Sequence, residues 1–377
     1  MKSKTIIHQV TFAAVGGIQS SFISLFSLLK NKSEFNHKIY GMHEVDTYYI
    51  QIKKYYTNFS KSLYEMIKFL FFLISKNYII HLYNNLSSKR IYYLLRFLRC
   101  SNIIYHERGT SWNASKKDIK IIKKNAENAD VIVANSEASK IILTKRFKVD
   151  KNKIKVIYNG VLSESFKNGN FKKYSDHFSI GFIGRLDTPK GVHILIDVAK
   201  KMKEIKFFIA GDGVLEKDLK IRANGYENIN FMGRSNPIEF ISKMDVIVVP
   251  SIREPLGNVI IESGFCSKPV IASKVDGIPE IITNNKNGIL LNPKNEITFK
   301  SKQKNAVPVP DYVVNFETKE LVKPKEIDQK DLIKAIYKLK NDDKLRLKLS
   351  KNLNQTVKKK FSLESYFYNI HEIYRMF

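Results

Sequence analysis

Apolar runs recur along the chain, each ending in a polar or glycine-containing loop and followed by a stretch with helical spacing. In the first half TIIHQVTF, YIIHLYN, NIIYHERG and DVIVANS read as strands. In the second half FSIGFIGRL, KFFIAGDG, INFMG, DVIVVPS and PVIASK repeat the pattern. Strands alternating with amphipathic helices predict parallel sheets with crossover helices. Between the halves, after KVIYNGV, residues 163–177 are polar, charged and without period, as a linker should be. The expected fold class is therefore α/β, with two successive doubly wound domains, residues 1–163 and 164–362. Helical stretches over 330–358 and 363–377 close the chain. Residues 292–325, with KSKQKNAVPVPDYVVNF, have prolines, valines and no helical period. They read as an insertion, a short hairpin or an ordered loop.

A chain of 377 residues, 44% hydrophobic and 27% charged, is long enough for two such cores and is not disordered. Cys100 and Cys266 show neither metal spacing nor a disulfide framework, which fits a reducing, cytoplasmic compartment. The apolar run near the N-terminus is too short for a signal peptide. FLFFLI, residues 69–74, lies between Lys68 and Lys76 and is far below membrane-spanning length. The net charge is +28, and residues 1–163 hold 27 Lys and Arg against 10 Asp and Glu. Such a field favours nucleic acid, an anionic bilayer or phosphorylated substrates, although a lysine-rich proteome produces the same excess. No nucleic-acid module with interleaved stacking aromatics is present, so no nucleic acid is expected as a partner. In KSLYEMIKFLFFLISK, residues 61–76, an apolar side with flanking lysines suits either a peripheral position on an anionic membrane or a core helix with a charged edge.

Ligands of open parallel sheets bind beyond the carboxyl ends of the strands. The segments expected there are AAVGGIQSS, HERGT, GRLDTPKG, AGDGVLE and PSIREPLGN. Gly16 and Gly17 let a backbone approach a ligand at a helix start, or merely make a tight turn; the G-x-G-x-x-G spacing of a dinucleotide fingerprint is absent. In GRLDTPKG, Arg185 and Lys190 supply two positive groups on one turn, suited to a diphosphate or to a charged surface. In REPLGNVIIES, Pro255 and Gly257 place Glu254 in a loop and start a helix near Asn258. Backbone amides there suit phosphate or sugar oxygens, Glu254 suits sugar hydroxyls, and Glu262 in the second turn suits the hydroxyls of a ribose. A carboxylate serving the helix dipole explains Glu254 moderately and Glu262 poorly. His106, at a strand end, is either a site residue or a satisfied, partly buried one. No H-x-x-x-H, C-x-x-C or D-x-D spacing is found, so no metal site is expected.

The order GG, HERG, NSEASK, VIYNGV, GRLDTPKG, IAGDG, then E-x7-E followed by KPVIAS and GIPEII, resembles glycosyltransferase family 4 over nearly the whole chain except residues 292–325. The resemblance implies the GT-B fold: two Rossmann-like domains facing across a cleft, with the C-terminal helix, about 363–377, crossing back to the N-terminal acceptor domain. It implies a retaining transfer from a nucleotide sugar, UDP being the commonest nucleotide, without metal or other cofactor. The acceptor would be a glycan or lipid-linked sugar of a bacterial surface polysaccharide or lipopolysaccharide. An epimerase or other non-transferase on the same fold is the alternative. By the same resemblance Arg185 and Lys190 would hold the diphosphate, and Glu254 would touch the donor sugar beside Leu256, Gly257, Asn258 and Val259. Glu262 would bind the ribose, with Gly184 and Gly211 lining the donor site. Gly16 and Gly17 would admit phosphates or acceptor, and His106 would reach the transferred sugar across the cleft. Glu107, Arg108 and Trp112 would help shape the acceptor site. Two departures stand out: Ser267 where a glycine usually precedes KPVIA, and Asp276 in place of the first of a glycine pair.

Overall fold

The computed structural model describes residues 4–13, 16–161, 172–299, 301 and 303–377. Most of the expected linker, residues 163–171, lies outside them. In chain order the elements begin with β1 (Thr5–Gln9), α1 (Gly17–Lys32), β2 (Asn36–Gly41), β3 (Tyr56–Asn58), α2 (Leu63–Ile74), β4 (Tyr78–Tyr83) and α3 (Lys89–Phe97). They continue with β5 (Ile103–Glu107), α4 (Ile119–Asn128), β6 (Val131–Ala134), α5 (Glu137–Phe147) and β7 (Ile154–Val156). Then come β8 (Ser179–Ile183), α6 (Val192–Ala199), β9 (Lys206–Ala210), α7 (Glu216–Arg222), β10 (Ile229–Gly233), α8 (Pro237–Ser242), β11 (Val246–Val249) and α9 (Asn258–Phe265). After these stand β12 (Val270–Ser273), α10 (Ile278–Ile281), β13 (Ile289–Leu291), β14 (Pro293–Asn295), β15 (Val313–Asn315), β16 (Glu320–Val322) and β17 (Glu326–Ile327). Helices α11 (Gln329–Asn341), α12 (Asp343–Lys360) and α13 (Leu363–Arg375) end the chain.

The chain forms two compact units, Met1–Val161 with Ser362–Phe377, and Leu162–Phe361. In the first, a parallel sheet runs β3-β2-β1-β4-β5-β6-β7; in the second, β10-β9-β8-β11-β12-β13. Helices cover both faces of such sheets, so the strands must be apolar on both sides. VIVA of β6 and VIVV of β11 are buried at every position. Each sheet reverses its order once, between β1 and β4 in the first unit and between β8 and β11 in the second. Those two crevices are where the topology places a ligand.

Helix α13 belongs to the first unit. Its residues Leu363, Tyr366, Ile370 and Tyr374 are buried, and Leu363 N donates to Val161 O at 3.1 Å. The sheet face in that unit carries a row of imidazoles, His37 on β2, His8 on β1, His81 on β4 and His106 on β5. Neighbouring rings lie 5.2, 5.7 and 5.4 Å apart. Tyr374 Oη meets His81 Nδ1 at 2.8 Å. Burial holds His8, His81 and His106 well below the usual imidazole range, and His37 at about 4.

The segment 292–325 contains the β15–β16 hairpin, and its first strand, β14, pairs antiparallel with β17 just beyond its end. The hairpin turns on Asn315, whose Oδ1 accepts from Glu317 N and Thr318 N. Residues 330–358 form two helices rather than one, because Asp342 ends α11 and caps α12 by accepting from Leu345 N at 2.8 Å.

Candidate active site

The crevice of the second unit opens where β8 and β11 end, and the two loops that leave them are stitched together. Ile252 N and Arg253 N both donate to Pro189 O, at 2.8 and 3.2 Å. Gly191, at φ 66°, leaves no room for a side chain: a Cβ there would fall 2.1 Å from Pro250 O. Beside this seam the loop after β9 closes on the loop after β8. Gly211 has φ 126°, and a Cβ on it would meet Gly184 O at 1.9 Å. These glycines let three loop backbones converge at the mouth of one sheet.

On that seam Lys190 Nζ donates to Glu254 Oε2 at 2.6 Å, and Ser251 Oγ donates to the same oxygen at 3.1 Å. The sequence assigned Lys190 to a diphosphate and Glu254 to a sugar; here the two side chains are partners, both largely buried. Arg185 is different. Its guanidinium is mostly exposed, with Asp187 Oδ2 at 3.5 Å from Nη1. The loop after β11 ends at Gly257, which takes φ 109° as the N-cap of α9. The helix starts at Asn258, where the sequence placed it, and Leu256 is buried beneath the turn. The α9 start, with Asn258 and Val259, thus lies just after the Glu254 loop, and helix starts of this kind suit anions.

Glu262 stands one turn further along α9. Its carboxylate forms no hydrogen bond or ion pair among the described residues, and burial pushes it up to about 7, although the residue keeps part of its surface open. Glu254 and Glu262 therefore have separate surroundings, one paired with a cation and one unpaired.

The first unit departs from several expectations. Gly16 N donates to Tyr49 Oη at 3.1 Å, so part of the GG loop is already capped; Gly17 is exposed, and Ala14 and Val15 lie outside the described residues. His106, expected to reach a ligand, is 0% exposed, because its place on β5 turns it into the imidazole row, and neither ring nitrogen has a hydrogen-bond partner among the described residues. Glu107, expected at the acceptor, is also fully buried. Its oxygens accept from Gly109 N, Thr110 Oγ1, Ser111 N and Ser111 Oγ at 2.7 to 3.2 Å, which makes it the builder of the turn after β5. Trp112 is 1% exposed and sits in the core. Arg108 is buried as well, with Nη1 donating to Ile18 O at 3.4 Å in the first turn of α1.

Residues 44–164 match the family model described as Glycosyltransferase Family 4, and residues 177–307 match Glycosyl transferases group 1. The chain carries a Glycosyltransferase Family 4 domain and a Glycosyl transferases group 1 domain. An uncharacterised glycosyltransferase of Methanocaldococcus jannaschii is 36% identical over 181 residues, 46% of this chain and 49% of that protein. The capsular polysaccharide biosynthesis glycosyltransferase CapM of Staphylococcus aureus is 27% identical over 68% of this chain and 59% of its own length. The chain spans about half the length of the curated relatives it matches first. Among solved structures, Anabaena HepE in complex with UDP-glucose superposes with a TM-score of 0.78 over 99% of this chain and 100% of that one. At 18% identity that likeness concerns the fold, two Rossmann-like α/β domains of GT-B type.

One feature of this chain escaped the sequence, and another was left there between two readings. Asp276 and Ser267, noted only as departures from glycine, both take left-handed backbone, at φ 47° and 53°. Asp276 then adds what glycine lacks, a carboxylate that accepts from Glu254 N at 2.9 Å. The left-handed turn could have been inferred from the glycine usual there; the carboxylate's partner could not. The second feature is the outer face of α2. Leu63, Tyr64, Ile67, Phe71 and Ile74 are all more than half exposed, while Phe69, Phe72 and Leu73 are buried. Among the described residues no helix is long and apolar enough to cross a membrane.

Proposed function

We propose that this chain is a retaining glycosyltransferase that moves a sugar from a nucleotide donor, a UDP-sugar, to a glycan or lipid-linked acceptor in bacterial surface polysaccharide synthesis. One observation supports the reading: Lys190 and Glu254 pair beside the start of α9 at the crevice between β8 and β11, with Arg185 on the same loop as Lys190. A diphosphate at this crevice competes with Glu254 for Lys190 and gains Arg185 as a second cation. The freed carboxylate then accepts from hydroxyls of the donor sugar, while Glu262 takes those of the ribose.

In the transfer, an acceptor hydroxyl oxygen bonds to the anomeric carbon as the bond to the diphosphate oxygen breaks. The diphosphate takes the hydroxyl proton from the same face, so the anomeric configuration is kept. Negative charge grows on the leaving diphosphate, and Lys190, Arg185 and the α9 amides are placed to stabilise it without a metal ion. UDP is supported by the UDP-glucose bound to HepE, and a polysaccharide product by the name of CapM. The outer face of α2 supports a peripheral position at the inner leaflet. Leu63, Ile67, Phe71 and Ile74 follow helical spacing, and Lys61, Lys68 and Lys76 border them, the composition of a helix that lies in an anionic interface.

Calorimetric titration with UDP, GDP and ADP, first without metal and then with Mg²⁺, tests the donor reading. Metal-independent binding selective for UDP is expected. Absence of binding to all three, beside tight salt-sensitive binding to DNA, would refute it.

A further inference from the structure

We propose that Asp276 is a positioning residue that holds Glu254 in place and ties it to the β15–β16 hairpin. This rests on Glu254 being the donor-sugar contact. Asp276 is fully buried, and its two carboxylate oxygens serve different segments. Oδ2 accepts from Glu254 N at 2.9 Å, and Oδ1 accepts from Val314 N at 2.7 Å. Main-chain bonds complete each half. Gly277 N donates to Glu254 O at 3.1 Å, and Asp276 N donates to Val314 O at 3.1 Å. Both polar main-chain groups of Glu254 are therefore held by residues 276–277, and both of Val314 by Asp276.

The contact has no slack. A Cβ on Gly277 would lie 2.2 Å from Pro255 O, so the two backbones touch. On the hairpin side Val313 and Val314 are buried, and Lys274 Nζ donates to Glu317 Oε1 at 2.6 Å. The two amides reach two different oxygens, which a carboxylate supplies; an asparagine there turns an NH₂ toward one of them. A glycine tolerates the φ of 47° better than aspartate does but accepts from neither. The hairpin of the inserted segment thus reaches the donor loop through Asp276, and Asp276 sets where the Glu254 carboxylate stands.

The test uses the full chain with Asp276→Asn, Asp276→Gly and Glu254→Gln. Hydrogen exchange is followed in the peptides covering residues 251–257 and 311–317. Calorimetry compares UDP with whichever of UDP-glucose, UDP-galactose and UDP-N-acetylglucosamine the unmodified chain binds best. Both Asp276 variants are expected to speed exchange in both peptides together. They are also expected to lower the affinity for the nucleotide sugar relative to UDP by about tenfold, as Glu254→Gln does, the size of one charge-assisted hydrogen bond. Asp276→Gly, which suits the left-handed backbone, gives the same answer if Asp276→Asn fails to fold. Unchanged exchange at 251–257, or equal losses for UDP and the nucleotide sugar, would overturn the proposal while leaving the donor reading standing. A Glu254→Gln variant with an unaltered affinity ratio would instead remove Glu254 from the sugar, and the proposal with it.

Discussion

Glu262 offers a test that joins structure to affinity through pH. Its carboxyl is pushed up to about 7 by burial and forms no ion pair among the described residues. Ribose hydroxyls donate to it best when it is ionised. With a midpoint near 7, about 10% of the chains carry the carboxylate at pH 6 and about 90% at pH 8, so donor affinity should rise about tenfold between them, ~1.4 kcal/mol. The residue is partly open to solvent, which moves the midpoint to 7 or below rather than above it. The assay is a calorimetric titration with UDP-glucose, whose diphosphate stays fully ionised over this range, at pH 6, 7 and 8. Glu262→Gln should bind more weakly at pH 8 and lose the slope. The same substitution should stabilise the unliganded fold at high pH. The folded carboxyl ionises later than the ordinary 4.5, so its cost to stability begins as pH rises above 4.5 and is complete above about 7. A flat affinity in the unmodified chain, or equal slopes in both, would refute the ribose assignment.

Arg185→Ala should weaken UDP binding by about 1–3 kcal/mol, the loss of a charged hydrogen bond, and calorimetry showing unchanged affinity would take Arg185 out of the site. Ile67→Ser with Phe71→Ser should reduce sedimentation with phosphatidylglycerol-rich vesicles by more than about tenfold, since each buried side chain contributes ~1.5–3 kcal/mol, and equal binding would assign the surface elsewhere. The imidazole row predicts acid lability. His8, His37, His81 and His106 stay neutral in the fold, so the unfolded chain alone gains protons as pH falls below about 6.5. Each group then removes up to about 1.4 kcal/mol of stability per pH unit, and thermal unfolding at pH 5.5 against 7.5 should show a Tm drop that His81→Phe reduces.

The two-sheet architecture was legible because strands buried on both faces are written as apolar runs: VIVA and VIVV admit little else. The α9 start was legible too, since Gly257 is a local signal. What failed was whatever depends on which side of a strand or helix faces inward. HERG names a strand end but not the side on which His106 points, and the structure turns it inward while Glu107 caps its own turn. FLFFLI is apolar around the helix, so its spacing could not say that Phe71 stays outside while Phe72 is buried. The Lys190–Glu254 pair and the Asp276 bridge join residues 64 and 22 positions apart. No local pattern records such contacts, because tertiary packing alone creates them.

The placement of α13 has a consequence for biosynthesis. Tyr374 and Tyr366 close the buried face of the first unit, yet they are made after all of the second. The second unit is one continuous stretch and can fold as soon as it clears the ribosome. The first unit must wait with its imidazole row uncovered while roughly 200 residues are added, on the order of 10–40 s at ordinary translation rates. The unit made first is therefore the one whose last helix arrives last.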